Sequence, residues 1–224
     1  MGWTDAAFEV LGGGGEPAAA PDEVAVLERW IGGELPEAVR EWFLRGGDRR
    51  LAAVSSNLVT TARDFGSPAV GRFLDSGHLL LETDGQHCCR WVVAVEASYG
   101  DPPVYLVDPD DDACVTRSRY AEAFSEYVFA AAWDAVLWAG EMAADFDHPL
   151  PAGALEALNG RLTALPVTYG WAMNQGCDAV HRFEGAARVA VAVTGGTAVW
   201  SAVAAPDAGL RRALAELIGA DGDG

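Results

Sequence analysis

Half of the 224 residues are apolar and 21 % are charged, a balance that supports a buried core and excludes a disordered chain. The 33 acidic residues outnumber 15 basic ones, all of them arginine, for a net charge of −18. Such a field repels nucleic-acid backbones and anionic membranes and speeds the approach of basic partners.

The first 21 residues hold an apolar patch, Trp3, Phe8, Val10 and Leu11, followed by a Gly-rich, Ala-rich and Pro-rich run to Pro21 that reads as a flexible tether. Asp5 and Glu9 stand where a signal peptide carries basic residues, so the reading is a cytoplasmic protein. No apolar run approaches the roughly 20 residues of a membrane span.

From Asp22, a good N-cap, Val24, Leu27, Trp30 and Ile31 recur at helical spacing until Gly32-Gly33. A second helix follows Leu35-Pro36-Glu37, buries Val39, Trp42 and Phe43, and exits at Gly46-Gly47. Between residues 48 and 77 the pattern predicts a short helix near Arg50–Ser55 and irregular chain around Phe65–Asp75. Three strands are expected next, His78–Thr83, His87–Val95 and Val104–Val107, joined by Asp/Gly/Pro turns. In the middle one Cys89, Trp91, Val93 and Val95 share a face and Val92 and Ala94 lie on the other, the mark of a strand covered on both sides.

A long helix is predicted over Ser118–Met142, apolar nearly all round through Phe124, Tyr127, Val128, Ala131, Leu137 and Trp138. The stretch Asp145–Pro151 reads as a linker. Beyond it come a helix at Ala152–Leu162, strands at Ala179–Phe183, Arg188–Thr194 and Thr197–Ala204, with a hairpin at Gly195-Gly196, and a final helix carrying Leu210, Leu214, Leu217 and Ile218. Leu150-Pro151-Ala152 echoes Leu35-Pro36-Glu37-Ala38 too faintly to count as an internal repeat.

Four stretches in order resemble the SUKH superfamily, which includes bacterial toxin-immunity proteins and fungal regulators of cell-wall synthesis. Leu35 to Gly47 is similar to its opening Leu-Pro helix ending in glycines. Glu82 to Gln86, leading to Trp91, resembles its Glu-Asn-Gln-Gly stretch before a tryptophan, although Thr83-Asp84-Gly85-Gln86 reorders it. Asp101-Pro102-Pro103-Val104-Tyr105 looks like its acidic-Pro-Pro-Val-Tyr turn, and Tyr120 to Trp138 like its closing helix. The resemblance covers residues 22–142 and implies an α+β fold, a mostly antiparallel sheet flanked by helices, and protein binding without catalysis. On this reading residues 1–21 are a flexible segment, 22–145 the SUKH-like domain and 146–224 a C-terminal α+β extension.

The prolines of Asp101-Pro102-Pro103 donate no ladder bond and hold their predecessors extended, so this turn fixes the angle at which the next strand enters. Trp91 reads as core. Gln86, Trp91, Asp101, Pro102, Pro103 and Tyr105 are therefore expected to build the framework. Asp108, Asp110, Asp111 and Asp112 place four carboxylates in five positions. The comparison with a calcium loop fails there, because Ala113 occupies the turn-glycine position and Arg119 that of the bidentate glutamate. These four aspartates, with Asp84, are the expected contact surface for an arginine-rich or lysine-rich partner.

His78, His87, Cys88, Cys89, Cys177 and His181 could supply metal ligands, but adjacent cysteines on a strand point to opposite faces, and the thiols read as small buried hydrophobes. Neither a nucleophile-base motif nor a nucleotide fingerprint is present, so no cofactor and no catalytic residue is expected. The function that follows is an immunity-type module occluding a basic toxin, for which a basic nuclease is a natural candidate. An intracellular scaffold for a signalling or wall-synthesis partner is the alternative, and an enzyme of unrecognised type the third reading.

Overall fold

A computed structural model describes residues 2–12, 21–96, 99–139, 143–170 and 177–219. They form an α+β fold with two antiparallel sheets flanked by helices, in two compact units, Met1–Val136 and Leu137–Gly224.

Unit 1 begins with α1 (Trp3–Val10), α2 (Pro21–Ile31), α3 (Glu37–Leu44) and α4 (Gly47–Val54). The apolar patch near the N-terminus is helical because its spacing lets α1 bury Ala7 and Phe8, the Phe8 ring lying 5.1 Å from that of Trp42. Residues 13–20 of the expected tether lie outside the described residues. The glycine exit of α3 turns through Gly46 at φ +72°, a left-handed conformation that favours glycine.

The five strands are β1 (Leu58–Val59), β2 (His78–Thr83), β3 (Arg90–Ala94), β4 (Val104–Val107) and β5 (Arg117–Ala121), ordered β1-β2-β3-β4-β5. β3 is central, as the apolar residues on both its faces required. All six residues of β2 are buried. Between β1 and β2 lies α5 (Pro68–Leu74), where irregular chain was expected. Ser67 caps it by accepting from the Val70 amide, and Pro68 sits in its first turn, local signals strong enough for two turns but too short to show periodicity.

The long helix α6 (Phe124–Ala139) starts six residues later than the sequence predicts, because Arg117–Ala121 pairs with β4 as an edge strand, Tyr105 opposite Arg119 and Val107 opposite Arg117. Residues 140–142 lie outside the described residues. The strand predicted from His87 likewise starts at Arg90, since residues 84–88 form a tight turn with His87 at φ +59°.

Unit 2 holds β6 (Ala143–Phe146), α7 (Ala154–Asn159), β7 (Thr163–Ala164), β8 (Ala179–Glu184), β9 (Arg188–Thr194), β10 (Thr197–Ala204) and α8 (Ala208–Leu217). Its sheet runs β6-β10-β9-β8-β7. The predicted linker at Asp145 is strand instead, paired with Ala202 of β10. Leu158, Phe183, Val189, Val191, Val203, Leu214 and Ile218 form one buried cluster linking that sheet to α7 and α8. Gly195 and Gly196, at φ +58° and +75°, make the expected two-residue hairpin.

The two sheets share one device. In each, a two-residue edge strand pairs with the last two residues of a six-residue strand: Leu58 with Thr83 and Val59 with Glu82, then Thr163 with Glu184 and Ala164 with Phe183.

Candidate functional site

The residues of the four family-like stretches are joined by hydrogen bonds that make them nodes of unit 1. At the Asp-Pro-Pro turn, the Gly100 carbonyl accepts from the Ala38 amide at 2.9 Å, fastening the start of α3. The Asp101 carboxylate accepts from the Ser125 amide at 2.9 Å and from its hydroxyl at 2.6 Å, closing the first turn of α6. Pro102 is buried and delivers Val104 to the sheet. One turn therefore positions two helices and a strand.

Between β2 and β3, Asp84 accepts from the backbone amides of Gln86 (2.9 Å) and Cys88 (3.2 Å). Its carboxylate organises the turn, and with 9 % of the residue exposed it offers little to a partner. Gln86 is exposed at the turn's tip. Trp91 is buried, its ring edge-on to that of Tyr120 at 5.8 Å. Tyr105 is half-buried, with the Arg117 and Arg119 guanidinium groups 5.4 and 5.6 Å from its ring centre.

The acidic loop is wired largely inward. Both oxygens of Asp112 are engaged at 2.7 Å, one by Arg72 and one by Arg90. Asp111 accepts from the Thr116 amide (2.6 Å) and hydroxyl (2.7 Å), bonds that hold its carboxyl below the usual range. Asp108 accepts from the Asp110 amide at 2.9 Å. Asp110 is exposed and its carboxylate accepts no bond among the described residues. Of the five acids expected to meet a partner, Asp108 and Asp110 are the most outward.

The feature that sequence reading passed over is Glu82. It is 2 % exposed, accepts from the Tyr127 hydroxyl on one oxygen and from Asn57 Nδ2 at 3.1 Å on the other, while Asn57 Oδ1 takes the Gly85 amide at 3.1 Å. Burial pushes its carboxyl up, the two donors opposing and Asp134 adding to the rise. The Tyr127 phenol is driven well above its ordinary value by burial and by the neighbouring carboxylate. The signal in the sequence was a glutamate closing the apolar run Leu79-Leu80-Leu81.

Cys89, Cys114 and Cys177 are buried thiols, and Cys88 is exposed. Burial, helped by Asp84, pushes Cys89 up to about 12. His78 and His181 are both held below the ordinary histidine value, first by burial. Among the described residues no three His, Cys, Asp or Glu side chains gather as a set that could hold a metal ion. A groove of about 540 Å³ lies among α2, α5 and the end of β3, lined by Trp30, Ile31, Gly71, Leu74, Asp75 and Val95 among others.

No protein-family model matches the chain, no curated protein matches it, and no solved structure matches its fold.

Proposed function

We propose that this chain is a non-enzymatic, SUKH-like protein-binding module of the immunity type, which acts in the cytoplasm by occluding a basic toxin. The observation that carries the reading is charge: 33 acidic against 15 basic residues leaves an excess of 18 negative charges however they pair, and no lysine offsets it. Among the described residues the arginines at positions 40, 45, 49, 63, 72, 90, 119 and 188 form ion pairs within the chain. A surface of this kind accelerates encounter with a cationic partner and loses that advantage as salt rises.

Support also comes from the way the family-like stretches interlock, since residues that fix helix starts and turns give a rigid platform. No helix among the described residues is long and apolar enough to cross a membrane. The site chemistry favours contact by carboxylates, with Asp108 and Asp110 as the outward members of the acidic loop.

The test begins with co-purification of the tagged chain from its native host and identification of what is retained, ideally the basic C-terminal domain of a secreted protein encoded next to it. With that partner in hand, the association rate is expected to fall steeply between low and physiological salt. Changing Asp108 and Asp110 to Asn slows association with little loss of stability, whereas Asp111→Asn and Asp112→Asn also destabilise unit 1. A rate indifferent to salt rejects the electrostatic reading, and a solitary gene whose product retains wall-synthesis or signalling proteins favours the scaffold.

A further inference from the structure

Trp30, the aromatic residue of α2, is 55 % exposed and its ring lies over Gly71 of α5, where a Cβ would come 3.1 Å from its Cζ3. The groove it borders has a volume within the range of ligand sites. Two features there favour a positive charge. Asp75 caps the C-terminus of α5 and, among the described residues, its carboxylate has no hydrogen bond or ion pair. The eleven-residue α2 ends at Ile31, on the groove wall, with the partial negative charge of its terminal carbonyls. Among the described residues the one cation in the lining is Arg72, which is already held by Asp112 at 2.7 Å and lies 5.8 Å from the Phe73 ring.

Resting on the protein-binding reading above, we propose that this groove receives an arginine or lysine side chain of the basic partner. The stem lies along the apolar wall of Ile31, Leu74 and Val95 and the cationic head is held between the Trp30 indole and the Asp75 carboxylate. Among aromatic rings indole is the best partner for a cation, and a tryptophan at the centre of an interface commonly carries much of its energy. The groove, and not the inward-wired acidic loop, then fixes register, while the overall negative charge governs the rate of encounter.

The experiment titrates the isotope-labelled full chain with acetyl-Gly-Arg-Gly-Arg-Gly-amide at low salt and, separately, with the same peptide carrying citrulline, which keeps the stem and loses the charge. The Trp30 indole N–H, assigned with Trp30→Phe, and the Gly77 and Val95 amides should shift saturably with the arginine peptide and at least about 5-fold more weakly with the citrulline one. Trp30→Ala and Asp75→Asn should each weaken binding about 2- to 5-fold, and both lie on the surface where folding is little affected. Equal binding of the citrulline peptide overturns the proposal. Shifts confined to residues 108–112, with Trp30 unmoved, also overturn it while leaving the basic-partner reading intact, whereas a spectrum unmoved at every resonance counts against both.

Discussion

The Tyr127 phenol donates a hydrogen bond to the Glu82 carboxylate inside unit 1, tying the first turn of α6 to the end of β2. Both groups are pushed toward their protonated forms by burial. The groups facing this carboxylate are Tyr127 and Asp134 from α6 and Asn57 from the segment before β1. The folded protein thus holds a proton on Glu82 at pH values where the unfolded chain, with a carboxyl near 4.5, releases it. The folded state then binds more protons than the unfolded one, so this contribution to stability is full below pH 4.5 and is lost as pH rises toward the elevated folded value. Urea unfolding from pH 4.5 upward should show wild type losing ground steadily to Glu82→Gln, whose side chain has no proton to release. Parallel curves would reject the elevated carboxyl. Tyr127→Phe, which leaves a buried acceptor short of a donor, should cost about 1–3 kcal/mol.

The Asp101–Ser125 contact predicts a capping energy carried across 24 residues of chain. Asp101→Ala should lower stability by about 0.5–2 kcal/mol, and Ser125→Ala by a similar or smaller amount. Because one contact is removed in both, the double variant should cost less than the two single costs added, as a double-mutant cycle from denaturant unfolding reads. Strict additivity would mean that the two residues act separately.

Gly85 is held where a Cβ would come 2.7 Å from the Ser56 carbonyl oxygen, a backbone atom fixed by the approach of β1 to β2. Gly85→Ala should therefore destabilise by about 1–3 kcal/mol and loosen the amides of Leu58 and Val59 to hydrogen exchange. At Gly100 a Cβ meets nothing within 4 Å, so Gly100→Ala should be close to neutral. If the two variants unfold at the same denaturant concentration, the close approach at Gly85 is wrong.

Thiol chemistry separates the neighbouring cysteines. Cys88 is exposed, while Cys89, Cys114 and Cys177 are buried and their thiols are all raised by burial. Reaction of the folded chain with a chromogenic disulfide should give one fast equivalent, with the other three appearing only on unfolding. Rapid labelling of two adjacent thiols would show that the turn at residues 84–88 is open.

Much of the framework was written locally. The helices from Asp22 and Leu35, the strands His78–Thr83, Val104–Val107, Arg188–Thr194 and Thr197–Ala204, and the Gly195-Gly196 hairpin all follow from periodicity and turn chemistry within a few residues. Two-turn α5 escaped because seven residues carry too little periodicity, although Ser67-Pro68 announced its start. Edge strand β5 escaped because Arg117-Ser118-Arg119 has no apolar alternation; its pairing with Val104–Val107 is supplied by β4. The start of α6 is set by a carboxylate 24 residues away.

For the site, sequence alone fixed the composition of charge: an excess of carboxylates, no lysine, and the sharp turns of Asp84-Gly85 and Asp101-Pro102-Pro103. Tertiary structure decided which carboxylates face outward. Four aspartates within five positions look equivalent as a string, yet Asp112 finds Arg72 and Arg90, Asp111 finds Thr116, and Glu82 is enclosed with Tyr127, whereas the carboxylates of Asp110 and Asp75 are left without partners among the described residues. The number of ionisable groups belongs to the sequence; whether each is charged, as at Glu82, and whether it is available depend on burial and on donors brought near from distant positions, and only folding brings these about.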